Sequence, residues 1–355
     1  MTLIKRLGLE VPVLQAPMAG VSTPALAAAV SNAGALGALG LGATDATGAH
    51  RMITEVQART TRPYNVNLFV HATPPRDREG EAVWLAWLQP LFAQYGAQAP
   101  TELDLPYTSF AEDPDMLRML LAVRPPVISF HFGLPSPAKV AALRGTGAVL
   151  LASVTSLAEA REAEKAGMDA VIAQGVEAGG HRGVFNAAAP DDKLGVMALT
   201  RLLVREGSCP VVAAGGVMDG AGVAAMLDLG AVAAQMGTAF ILCPESAADA
   251  AYRAALLGSA GHHTRLTTLI SGRPARALAN HFTALADKDG VPTPPLYPRA
   301  YAAGKALHAA ARASGETGFG AQWAGQGAPL ARAMPAAQLV QTLQEELALA
   351  CAGRG

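Results

Sequence analysis

The chain is short of charge, of aromatic residues and of cysteine, and each shortage narrows what it can be. Charged residues make up 15% of its 355 positions, and 27 Lys and Arg face 28 Asp and Glu, a formal net charge of −1. With neither sign in excess and no long run of either, nucleic acid and anionic membrane surfaces are set aside as partners. Aromatics are 5% while glycines number 37, which favours close helix–sheet packing over a bulky aromatic core. The three cysteines, Cys209, Cys243 and Cys351, have no metal-type spacing and cannot all pair, so a reduced, cytoplasmic compartment is expected. His262 and His263 lack acidic neighbours at ligand spacing, and no metal site is expected. Residues 11–44 carry no charge at all, yet Pro12, Pro17, Pro24 and the glycines from 34 to 42 break that stretch too often for a membrane helix. No G-x-G-x-x-G follows the first apolar run, which counts against a dinucleotide-binding open sheet.

What the chain does hold is eight short apolar runs: "PVLQAP" (12–17), "LGALGLG" (36–42), "YNVNLFV" (64–70), "VISFHFG" (127–133), "AVLLASV" (148–154), "AVIAQG" (170–175), "PVVAAGG" (210–216) and "AVAAQMG" (231–237). Continuous rather than alternating hydrophobicity marks strands buried on both faces, as in parallel sheets. Helical patterns lie between them at 23–33, 136–143, 155–166 and 219–229, with Pro or Thr near the starts and Gly near several ends. The alternation predicts an α/β fold, a (β/α)8 TIM barrel. Residues 71–124 form a long excursion after the third strand. Residues 246–311 read as helices broken by "SGRPARALAN" and "GVPTPPLYP", and are expected to form a helical substrate-binding cap. The barrel domain is then 1–245 with 312–355, ending in an amphipathic helix over 335–351.

Barrels of this kind work at the carboxyl ends of their strands, with phosphate between the last two loops. Those loops are "AAGGVMDG" and "QMGTAF". Gly215, Gly216 and Gly237 leave backbone N–H groups uncovered, Thr238 adds a hydroxyl, and a helix begins at Asp219, which together make an anion cradle. "VIAQGVEAGGHRG" (171–183) leaves the sixth strand over the same mouth and carries His181. Asn67, Gln174 and Met18 point there as well. An amide-lined, glycine-walled, mostly neutral pocket beside a phosphate suits flavin mononucleotide, FMN.

Taken in order, "QAPMAG", "NVNLF", "QGVEAGGHRG", "AAGGVMDG", "QMGTAF", "SGRPARALAN" and "WAGQGAPLAR" closely resemble the nitronate monooxygenase family, formerly the 2-nitropropane dioxygenases, over nearly the whole chain. The resemblance implies an FMN-binding barrel with a smaller helical domain, and oxidation of alkyl nitronates by O2 to a carbonyl compound and nitrite. It places FMN contacts at Asn67, Gln174, Gly179, Gly180, Gly216, Gln235, Met236, Gly237 and Thr238, and matches His181 to the active-site histidine. His181 is expected to orient and neutralise the nitro oxygens of a nitronate, and to act as general base on a neutral nitroalkane. "YPRAYAAGK" is similar to the bacterial nitronate-oxidising class and puts Tyr297, Tyr301 and Lys305 near substrate. Spaced by four, they would share one helix face, and Lys305 would favour a carboxylated substrate such as propionate 3-nitronate. His131, ending the fourth strand, is expected to line the pocket in a secondary role. Val21 and Ser22 stand where many relatives carry further glycine. Arg182 is open between a phosphate and an acid, Glu177 is read as capping a turn of the glycine loop, and a homodimer is admitted without being required. Two rivals stand beside this reading: an FMN-dependent NAD(P)H:quinone or enoyl-acyl-carrier-protein reductase on the same scaffold, and a non-catalytic flavin-binding protein.

Overall fold

The computed structural model describes residues 2–353. Each of the eight apolar runs contains a strand: β1 (Val13–Gln15), β2 (Gly37–Gly40), β3 (Tyr64–Phe69), β4 (Val127–His131), β5 (Val149–Val154), β6 (Ala170–Gln174), β8 (Val211–Ala214) and β9 (Ala233–Met236). Three more strands, β7 (Gly180–His181), β10 (Thr264–Thr267) and β11 (Ala275–Leu278), lie apart from them.

The eight are parallel, in the order β1-β9-β8-β6-β5-β4-β3-β2. A Leu14–Leu36 bridge closes the ring, with Gln15 N–H donating to Leu36 O at 2.8 Å and Leu36 N–H to Val13 O at 3.0 Å. Strands that bury both faces need apolar side chains inside and out. Leu151 and Ile172 belong to one buried cluster while Leu150 and Val171 belong to another, under the helices.

Helix starts follow side-chain chemistry. Thr23 accepts from Leu26 N, Ser136 from Lys139 N and Asp219 from Gly222 N, with proline in the first turn of the first two helices. The helix expected from Thr155 begins one residue later. Ser156 caps Leu157–Lys165, and Thr155 instead donates to Glu159 through both its N–H and its hydroxyl.

The segment 246–311 is not helical throughout, which corrects that expectation. Besides the helices Ala250–Leu257 and Arg299–Ala313 it holds β10 and β11, which pair antiparallel, and β11 continues onto β7 through Ala275–His181 and Arg276–Gly180. "ARAL" is fully buried as a strand, so its apolar content reflects burial rather than a helical period. The excursion at 71–124 supplies two helices with different destinations. Pro114–Val123 packs on the barrel through Met116 and Leu120. Arg78–Gln94 joins Trp84, Leu88 and Phe92 to Phe282, Leu307 and Phe319 in a separate core above the strand ends. Among the described residues, no helix is long and apolar enough to cross a membrane.

Candidate active site

The carboxyl ends of the strands open into a cavity of about 630 Å³, within the range of ~300–1,000 Å³ usual for small-molecule sites. It collects every catalytic, substrate-binding and cofactor-binding candidate named from the sequence. Met18, Asn67 and His131 line it from the loop after β1 and from the ends of β3 and β4. Gln174, Gly179, Gly180 and His181 enter from β6 and the loop beyond, and Gly215 and Gly216 from the end of β8. Gln235, Met236, Gly237 and Thr238 close the floor, and Tyr297, Tyr301 and Lys305 face them from above.

The two glycine turns form a donor-rich corner. Gly215 and Gly216 take φ of 137° and 69°, which side chains rarely adopt. Among the described residues, the N–H groups of Gly216, Gly237 and Thr238 have no hydrogen-bond partner. Thr238 Oγ1 accepts from Gly325 N at 3.0 Å, so its own proton is free to donate. The buried Gln235 Oε1 is also without a partner. Free backbone donors in two adjacent loops, with a helix starting just beyond, suit a phosphate; the amide oxygen suits a ring N–H.

Gly179 has a different reason to be glycine. A Cβ there would lie 2.5 Å from Gly325 N and 2.6 Å from Ala324 C, so the chain itself passes too close for a side chain. The segment around Trp323, Gly325 and Gly327 is thus laid onto both glycine loops and lines the same cavity.

His181 is fixed from several sides. Its carbonyl accepts from Gln174 Nε2 at 2.9 Å and from His131 Nε2 at 3.2 Å. Its Nε2 meets Ser271 Oγ at 2.9 Å, and that hydroxyl donates to Arg273 O at 3.2 Å. With the serine proton committed, the network assigns the hydrogen to His181 Nε2 and leaves Nδ1 as the acceptor, with no protein partner. Burial, the His131 ring and the Arg273 charge push the His181 pKa down to about 3. Burial above all pulls His131 down to about 4. Both rings are neutral at ordinary pH.

Tyr301 and Lys305 do share a face of Arg299–Ala313, but Tyr297 does not, which corrects the single-face reading. Pro298 is the N-cap, and a residue before proline is pushed out of the helical region. Tyr297 reaches the cavity from the preceding loop, its ring 5.3 Å from that of His181. The Lys305 ammonium sits 4.5 Å over the Tyr107 ring and 5.1 Å over the Tyr301 ring, with burial lowering its pKa. Burial raises Tyr301 to about 12 and Tyr297 well above its usual value, so both phenols keep their protons.

Arg182 meets an acid: its guanidinium pairs with both oxygens of Asp191, at 2.7 and 3.0 Å, while Nη1 donates to the Gln174 and Gly175 carbonyls. Glu177 accepts from Val196 N and so caps the following helix rather than a turn of its own loop. Ser22 holds the first loop, accepting from Met18 N and Gln15 Nε2. His262 and His263 lie away in a surface groove, and among the described residues no His, Cys, Asp and Glu group could hold a metal. Sequence reasoning missed Tyr107, Tyr252, Trp323, Ser271 and Arg273. For three of them a signal existed, because "SGRP" (Ser271 and Arg273) and "WAGQG" (Trp323) each set polar or aromatic residues near glycine within a long connection.

A closed barrel brings a donor-rich corner, an unpaired imidazole nitrogen and a phenol–ammonium roof together in one cavity, the kind of site an enzyme uses. Comparison with known proteins makes the class specific. The family model described as nitronate monooxygenase matches residues 1–346. A nitronate monooxygenase from Paraburkholderia phytofirmans is 57% identical, covering 97% of this chain and 94% of the relative. One from Pseudomonas aeruginosa is 54% identical over 96% and 97%. The solved structure of a nitroalkane oxidase from Streptomyces ansochromogenes superposes with a TM-score of 0.90 at 39% identity, covering 99% of this chain and 100% of that one. The chain belongs to the nitronate monooxygenase family, a flavin-dependent family of oxidoreductases.

Proposed function

We propose that this chain oxidises alkyl nitronates with O2 to a carbonyl compound and nitrite, that its flavin is FMN, and that its preferred substrate is the carboxylated propionate 3-nitronate. The observation that carries the substrate reading is the Lys305 ammonium, held over two phenol rings at the cavity roof and paired with no acid among the described residues. Among the described residues no carboxylate lines the cavity, so the counter-ion it suits is the ligand's.

The residues fit FMN: the backbone donors of Gly216, Gly237 and Thr238 would hold the phosphate, and Gln235 the ring system. When bound, FMN supplies the electron acceptor that passes reducing equivalents to O2. A nitronate arrives already deprotonated at carbon. That matters here, because a His181 ring with so little affinity for a proton is a weak base. With Nε2–H committed to Ser271, its Nδ1 accepts rather than donates. The donors left for nitro oxygens are the Tyr297 and Tyr301 phenols. Lys305 takes the carboxylate, and the aromatic roof keeps water from the reacting carbon.

Purified flavin-loaded protein should consume O2 and release nitrite with propionate 3-nitronate, while its flavin stays oxidised under anaerobic NAD(P)H. Bleaching by NAD(P)H without nitrite release would move the chain to the reductase reading. A yellow protein inert to both would make it a flavin-binding protein.

A further inference from the structure

We infer that Arg273 sets the charge of the His181 subsite and makes it select the anionic form of a substrate over the neutral conjugate acid. This rests on the nitronate reading above and adds to it a specificity-determining residue and the physical basis of the choice.

Arg273 is 4% exposed. One Nη donates to Val184 O, Nε has no partner, and Cζ lies 4.2 Å over the Phe132 ring. Among the described residues it forms no ion pair. The carboxylate whose field reaches it, Glu159, is spent elsewhere: Oε2 accepts from Thr155 N and Oγ1, and Oε1 from Phe185 N. Arg182 shows the contrast, buried as deeply but neutralised by Asp191. A buried guanidinium without a counter-ion is costly to keep, yet burial draws its pKa down only to about 10, so the charge persists.

The position of that charge explains its retention. Phe132 stands between Arg273 and the cavity, its ring 5.6 Å from His181 and 4.5 Å from His131. Its φ of 74° is rare for a bulky residue, so the surrounding contacts hold the backbone there against strain. Across this ring the guanidinium disfavours protonation of His71, His131 and His181 alike. The other groups around His181 are neutral: His131, Ser271, Tyr297, Tyr301 and Trp323, with Lys305 cationic beyond Tyr301. Among the described residues no carboxylate lines the subsite. A neutral nitroalkane leaves Arg273 unanswered, and a nitronate answers it.

The test uses flavin-loaded protein with Arg273→Gln, which removes the charge and keeps a donor for Val184 O, and Arg273→Lys, which restores the charge. Arg273→Met serves where the Gln variant does not fold. In Arg273→Gln, kcat/KM for ethyl nitronate should fall on the order of tenfold more than for neutral nitroethane. Nitrite, followed by calorimetry, should bind on the order of tenfold more weakly. The His181 and His131 imidazoles, followed by NMR titration, should move up in pKa. Arg273→Lys should recover most of each effect. Equal losses for the anionic and neutral substrates, unchanged nitrite binding or unmoved imidazoles would reduce Arg273 to a structural residue. Wild-type protein gives a check free of variants, since nitrite Kd should be flat from about pH 6 to 9 while the guanidinium keeps its charge. Binding that instead tracks an imidazole titration overturns the inference. Nitrite binding and imidazole titration need no turnover, so they decide the role of Arg273 even if the protein oxidises no nitronate.

Discussion

Mild acid should destabilise this protein through the two imidazoles of its cavity. Burial pushes His181 to about 3 and His131 to about 4, against 6.5 for a free imidazole. A folded-state pKa below the unfolded one gives stability that is present above pH 6.5 and lost as pH falls toward the folded values. At pH 5 each unfolded imidazole holds a proton that the folded ring refuses. Relative to pH 7 this costs about 2 kcal/mol per ring and about 4 kcal/mol for the pair. These are ceilings, because both rings border the cavity and are partly solvated. Urea unfolding of wild-type protein, His181→Asn and His131→Asn at pH 7 and pH 5 isolates the effect. The stability lost between the two pH values should shrink by up to about 2 kcal/mol in each variant, since asparagine does not titrate. If all three proteins lose the same amount, the imidazoles are not held neutral, and the argument that His181 is a weak base falls too.

Other consequences can be checked separately. Lys305→Met should raise KM for propionate 3-nitronate on the order of tenfold more than KM for ethyl nitronate, as loss of one charged contact predicts; equal changes would show that Lys305 does not bind the carboxylate. Gly179→Ala forces a Cβ against the Gly325 and Ala324 backbone, and should cost about 1–3 kcal/mol in unfolding experiments along with some flavin retention. An unchanged melting temperature would mean that 323–327 does not lie where it is placed. Gln235→Leu removes an orphaned buried oxygen, so flavin-free protein should be as stable or more so while flavin affinity drops. Loss of stability with affinity unchanged would refute the assignment of Gln235 to the flavin.

The barrel was legible because its strands obey a rule that needs no partner information: continuous apolar runs separated by capped helices. Position in that alternation then carried the site. Gly216 and Thr238 could be assigned to one corner because the seventh and eighth strand ends of a closed barrel are neighbours. Cap residues offered no such frame. "ARAL" could be a turn of helix or a short strand, and only pairing with Gly180 and His181 decides for the strand. Tyr297 shared the spacing of Tyr301 and Lys305, but Pro298 broke the helix that would have made the spacing meaningful.

The same limit explains why the surroundings of His181 were less visible than His181 itself. Its carbonyl is held from β4 and β6, its ring by Ser271, its backbone by β11, and its field comes from Arg273 behind Phe132. These contributors are separated from it by up to 94 positions in the chain and follow no period. A glycine cluster around a histidine announces that backbone must come close. It does not say whether a ligand or the chain approaches: at Gly179 the chain does, while the corner at Gly215 and Gly216 is open. A sequence can therefore nominate the reactive group more readily than the environment that sets its proton affinity, because that environment is assembled from distant segments. For this site the consequence is chemical. A histidine in a glycine loop suggests a general base, whereas a neutral histidine walled by Arg273 and His131 points to a substrate that has already lost its proton.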